Sequence, residues 1–154
     1  METTVEITGL KELERQLLKL EKKTSGKTLR NAARTALRPI QKAAKRNVPI
    51  SASTYLRWDA KRSYPIWTNP GELRKSIKLS ARFNKTGRGK TAVTAKVSAG
   101  SKKAYYAHMV ERGTIKMPAQ PFMMPAFAGH KRESLELFKK DLKKRINEVA
   151  RGRR

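Results

Sequence analysis

Apolar residues recur at Leu10, Leu13, Leu17 and Leu20, a spacing that puts them on one helical face. Glu12 and Glu14 near the start and Lys22 and Lys23 near the end suit the helix dipole. A helix is therefore predicted over 10–23, ended by Ser25-Gly26, with a short alternating strand over 4–8 ahead of it. A second stripe, Leu29, Ala33, Ala36, Leu37, Ile40 and Ala44, predicts a helix over 29–47 with Thr28 as N-cap. Pro39 falls in its middle and removes a backbone hydrogen bond. It predicts a kink, with a break into two helices at Arg38 as the alternative.

The periodicity fails over 48–70, which holds three prolines and both tryptophans. A loop of that length without structure of its own is uncommon unless it has a task. Trp58 and Trp67 either anchor an interface or fold back onto the domain as a satellite cluster. A helical turn is predicted over 72–76. Ile77, Leu79, Ala81 and Phe83 then alternate with polar residues, and so do Val93, Ala95, Val97 and Ala99. With turn glycines between them in KTGRGK, they predict an antiparallel hairpin with a basic outer face. Helical spacing returns over 104–112, with Gly113 as its C-cap. The run PAQPFMMP is predicted to be extended, because its prolines exclude regular helix, and an amphipathic helix follows over 131–150. The fold class is α+β: a β-hairpin or small sheet packed against two N-terminal helices and a long C-terminal helix. A single domain is expected over 1–150, with an inserted loop at about 50–70 and a basic tail over 151–154.

Charge changes this picture more than composition does. The formal net charge is +25, from 37 basic and 12 acidic residues. Such a balance opposes compaction and attracts polyanions. The low hydrophobic share, 38%, implies a thin core completed by a partner subunit. No acid lies between Glu21 and Asp59, or between Glu72 and Glu111. Within the first gap Arg30, Arg34, Arg38 and Lys42 recur every four residues, a basic ridge suited to phosphates or simply a solvated helix face. Glu111 is the one acid between Glu72 and Glu133. With no catalytic partner suggested for it, an ion pair with a cation of this chain or of a neighbouring subunit is expected.

The catalytic inventory is poor: two histidines, His108 and His130, two aspartates, Asp59 and Asp141, and no cysteine. No metal-ligand spacing and no phosphate-binding glycine loop is present. No enzyme activity, metal or cofactor is expected. The N-terminus lacks the pattern of a signal peptide. No apolar run approaches the roughly 20 residues that a membrane helix needs. A soluble protein made in the cytoplasm is expected.

Short motifs along the chain fall into an order that resembles a known family. Gly9, Leu10 and Leu13 lead into the first helix, and Lys45 and Pro49 close the alanine-rich second one. Gly71, Leu73, Arg74, Ser76 and Ile77 form Gly-x-Leu-Arg-x-Ser-Ile. Tyr106, Ala107, Val110, Glu111, Gly113 and Thr114 follow the hairpin, and Pro121, Phe122, Pro125 and Ala126 precede the last helix. This order resembles the neck and tail-completion proteins of long-tailed, lambda-like bacteriophages. The resemblance implies a structural virion protein that forms a ring, as a hexamer, at the head-proximal end of the tail. Its implied partners are further copies of itself, the tail tube or its terminator, the head connector and the passing DNA, with no membrane. Assembly would take place in the host cytoplasm. Trp58, Trp67, Tyr106, Glu111, Pro121, Phe122 and Pro125 are the expected interaction residues. The insert at about 50–69 departs from the family pattern and suggests a lineage-specific docking element. A nucleic-acid-binding protein without sequence preference is the alternative function.

Overall fold

A computed structural model describes residues 22–59, 64–85, 91–101 and 103–151. Among these the order is α1 (Lys22–Ala36), α2 (Arg38–Asn47), β1 (Tyr55–Asp59), β2 (Tyr64–Thr68), α3 (Glu72–Ser76), β3 (Lys78–Lys85), β4 (Thr91–Ser98), α4 (Ala107–Arg112) and α5 (Met123–Ala150). The class is α+β, with small two-stranded sheets, N-terminal helices and a long C-terminal helix. The strand expected over 4–8 and nearly all of the helix expected over 10–23 lie outside the described residues. The chain divides into two compact units. One comprises Met1–Leu37, Ala81–Ala95 and Arg132–Arg154, the other Arg38–Ser80 and Lys96–Lys131.

In the first unit, Ala32 of α1 is buried with Leu142 and Ile146 of α5, and Leu29 and Phe138 pack against them. This packing corrects two expectations. Ser25-Gly26 does not stop a helix, because α1 runs through both. Thr28 is buried in mid-helix and is not an N-cap. An interior glycine costs a helix about 1 kcal/mol, and the close-packed stripe of Thr28, Ala32 and Ala36 offsets it. Of the two readings at Pro39, the break is realised. α1 ends at Ala36, Leu37 makes the turn, and α2 starts at Arg38 with Pro39 second, where a helix has no use for its missing N–H.

The second unit has the larger core. Ala43, Ala44 and Val48 from α2 meet Leu73, Ile77, Ala104, Ala107, Val110, Phe122 and Ala126, with Val97 and Ala99 packed alongside. Polar bonds fix the elements around it. Gln41 Nε2 donates to the Ile77 carbonyl at 3.1 Å and ties α2 to the α3–β3 junction. Ser76 Oγ donates to the Leu73 carbonyl at 2.7 Å and accepts from Gly100 N–H at 3.1 Å, so one buried hydroxyl joins α3 to the end of β4. The Gly-x-Leu-Arg-x-Ser-Ile motif thus has a physical basis. Gly71 enters α3 at φ 78°, Leu73 and Ile77 are core, and Ser76 is the tie.

β3 pairs with β4. Only five residues join them, too few for a parallel crossover, so the pair is antiparallel. Along β4, Val93, Ala95 and Val97 are half-buried while Thr94, Lys96 and Ser98 are exposed, which matches the predicted alternation. The insert at 50–70, expected to be irregular, holds a second hairpin. β1 and β2 are antiparallel in the register Tyr55↔Thr68, Leu56↔Trp67, Arg57↔Ile66, Trp58↔Pro65 and Asp59↔Tyr64. Pro65 is tolerated because a two-stranded sheet has only edge strands.

Candidate functional site

The segment from Ala104 to Phe127 folds as a joint between two helices. α4 is short, running from Ala107 to Arg112 rather than from 104 as the spacing predicts, with Tyr105 and Tyr106 in a turn before it. The two tyrosine rings meet edge to face, 6.2 Å between centroids. Gly113 ends α4 at φ 76° and ψ 176°, its N–H bonded to the Met109 carbonyl. That backbone region is essentially closed to other residues. A Cβ there would also lie 2.8 Å from the Ala119 nitrogen. The chain then folds into a tight turn in which Thr114 and Met117 exchange backbone bonds, with Ile115 fully exposed at its tip. Gln120 N–H returns to the Val110 carbonyl at 2.8 Å.

At this point Glu111 meets the start of α5. Its Oε2 accepts the N–H groups of Phe122 and Met123, and its Oε1 that of Met124, each at 2.9 Å. A helix start leaves its first N–H groups without intrahelical partners. Here one carboxylate from another helix takes all three, and Pro125, third in α5, has no N–H to satisfy. The negative charge also sits at the positive end of the α5 dipole. Partial burial pushes the Glu111 carboxyl upward, but the three N–H donors outweigh it and hold the group below the usual glutamate value. Among the described residues Glu111 makes no ion pair, and its carboxylate serves as a helix cap.

This cap corrects the expected boundary of the last helix. α5 begins at Met123 and not at 131, because Pro125 lies in the first turn, where proline is compatible with helix. Pro121 and Pro125 are exposed. Phe122 is 1% exposed, in the centre of the core, and Tyr106 packs against that core. Tyr106, Glu111, Pro121, Phe122 and Pro125 are therefore brought into one structure.

Trp58 and Trp67 belong to the β1–β2 hairpin instead. Trp67 is 65% exposed and stands directly opposite Leu56, 51% exposed, so the two present an apolar pair to solvent. Pro65, two residues from Trp67 on the same strand face, is exposed as well. Of the basic ridge, Arg34, Arg38 and Lys42 are exposed and Arg30 half-buried. The helix they were expected to share is two helices, with Arg30 and Arg34 on α1 and Arg38 and Lys42 on α2.

The pattern did not single out Leu56, Ile115, Met124 or Phe127. The last two are exposed at i, i+3 on the first turns of α5. Leu56 and Trp67 were findable as alternating, aromatic-rich runs on either side of a short connection. Among the described residues, no helix is long and apolar enough to cross a membrane.

Compared with known proteins, residues 11–113 match the sequence profile of the bacteriophage HK97-gp10-like family, described as a candidate tail component. The match takes in the Gly-x-Leu-Arg-x-Ser-Ile motif and Glu111, and it stops at Gly113, before the helix that Glu111 caps. No curated protein and no solved structure matches the chain.

Proposed function

Because the chain belongs to the bacteriophage HK97-gp10-like family of tail components, we propose that it is a tail-completion or neck subunit of a lambda-like phage tail. In this reading several copies, six in the simplest case, form a ring at the head-proximal end of the tail. The ring joins the tail tube, or its terminator, to the head connector around the path of the DNA. The subunit acts by shape and contact, not by catalysis, and assembles in the host cytoplasm before residing in the virion.

The observation that carries the reading beyond the family is the exposed Leu56–Trp67 pair on the β1–β2 hairpin. Large apolar side chains offered to water on a separate hairpin fit an interface anchor that a partner covers. Trp58 lies in the same hairpin, opposite Pro65. The joint supports the reading in a different way. Tyr106, Glu111, Pro121, Phe122 and Pro125 hold α4, the 114–117 turn and α5 in one geometry, which gives an assembly subunit surfaces of fixed shape.

Electron microscopy of purified protein mixed with tail tubes tests this reading, with native mass spectrometry to count subunits. The expected result is rings, free or seated at one end of the tubes. A protein that stays monomeric and binds neither tubes nor connectors would overturn it.

A further inference from the structure

The cations of this protein are distributed in two distinct ways. On the C-terminal half of α5 they are interleaved with acids. Lys139 lies 3.1 Å from Glu136, Lys144 3.9 Å from Glu148, and Arg145 2.6 Å from Asp141. In the unit formed by Arg38–Ser80 and Lys96–Lys131 the acids are Asp59, Glu72 and Glu111 alone. The Glu111 carboxylate is engaged by three backbone N–H groups.

α2 shows the consequence. Ile40, Ala43 and Ala44 are buried, whereas Arg38, Lys42 and Arg46 are exposed on the opposite side at i, i+4 and i+8. Their Cα atoms are about 6 Å apart along the axis. The bond from Gln41 to the Ile77 carbonyl brings exposed Lys78, the next residue, to the same junction. Among the described residues none of these four cations makes an ion pair.

From this arrangement we infer that the exposed face of α2, with Lys78 at its edge, is a binding surface for the phosphate backbone of duplex DNA. Four like charges held together by a folded core repel one another in the free protein, and a dense polyanion relieves that repulsion while releasing its own counterions. An acidic protein partner fits less well. Protein interfaces have an apolar centre and are depleted in lysine, whereas the exposed residues of α2 are Arg38, Lys42, Arg46 and Asn47. Point charges with no base-reading groups among them bind without sequence preference. The inference does not depend on ring formation, because it concerns one face of one subunit.

The test compares two quadruple variants of the full chain that remove equal charge. One is Arg38→Gln, Lys42→Gln, Arg46→Gln and Lys78→Gln. The other, on α5 and the residue that follows it, is Lys140→Gln, Lys143→Gln, Lys144→Gln and Arg151→Gln. Binding to a labelled DNA duplex is measured across a salt series, with circular dichroism to verify the fold. The α2 variant is expected to lower the slope of log affinity against log salt by roughly 0.9 for each phosphate that is no longer neutralised. The α5 variant is expected to keep nearly the parent slope. Equal losses in both variants would mean that total charge, and not this face, binds DNA. Polyglutamate competing as well as duplex at matched charge would overturn DNA as the partner. On the unaltered protein, duplex should shield Lys42 and Lys78 from amine acetylation while Lys140 and Lys143 still react. Equal shielding of all four would also overturn the inference.

Discussion

The joint around Glu111 and the β1–β2 hairpin are both stretches in which the main chain doubles back, yet they are built on opposite principles. In the joint the polar groups are matched within the chain. The carboxylate takes three N–H groups, Gly113 fits where no Cβ can, and Phe122 fills the core beneath. In the hairpin the backbone pairs over five positions, but Leu56 and Trp67 face solvent. A two-stranded hairpin is marginal alone in water. The first region satisfies its polar groups within the chain even though Ile115, Met124 and Phe127 stay exposed on it, and the second is a marginal hairpin that presents an apolar pair to solvent. Substitutions should separate them: those in the joint act on stability, and those in the hairpin act on association.

The largest expected effect is in the joint's core. Phe122→Ala leaves a cavity among Val110, Ala126 and their neighbours and is expected to cost about 3–5 kcal/mol in urea unfolding. A loss below about 1 kcal/mol would mean that the joint is not packed as described. Gly113→Ala comes next. It forces a side chain into a backbone region reserved for glycine and against the Ala119 nitrogen. A loss of about 3 kcal/mol is expected, the upper end for one strained residue.

Glu111→Gln should cost about 2 kcal/mol. The amide keeps one acceptor oxygen, turns an NH₂ toward a backbone donor and removes the charge from the end of α5. The pH dependence has a definite sign. The folded-state pKa of Glu111 lies below the ordinary value of 4.5, so its contribution is fully present above that value. It is lost as pH falls through the lower, folded-state pKa. Unfolding of parent and variant side by side should show a stability gap at neutral pH that narrows on acidification. A gap that stays constant down to strongly acid pH would sink the cap as its cause.

How legible these regions were in the sequence depends on the range of the forces that shape them. The β3–β4 hairpin, the α3 turn and the Gly113 stop follow from period-two alternation and local turn chemistry, and they stand where the pattern puts them. The start of α5 was hidden because Pro125 reads as a helix breaker unless its position in the helix is known. That position depends on Glu111, eleven to thirteen residues away from the N–H groups it binds. A lone acid between distant acids was visible, but its partner was backbone, and backbone donors leave no mark in a side-chain pattern. β1 and β2 were obscured by Pro65, which counts against a strand only where both edges must be paired. At Gly26 local propensity points to a helix end, and the packing of Ala32 on Leu142 and Ile146 outweighs it, so α1 continues.

The smallest effect on stability, and the most discriminating result, is expected from the hairpin. Two fates were open for its aromatic residues: an anchor for a partner, or a cluster folded back on the domain. Leu56→Ser with Trp67→Ser removes the exposed pair without touching the ladder, whose bonds are all backbone. If the pair is an anchor, the double variant should unfold within about 0.5 kcal/mol of the parent, as exposed substitutions do. It should nevertheless fail to form rings or to seat on tail tubes. If the pair packs on its own domain, the loss should exceed about 1 kcal/mol, and assembly should fail only in proportion to the unfolded fraction. Measuring both quantities on one preparation decides between them, because the anchor predicts that stability and assembly separate and the cluster predicts that they fall together.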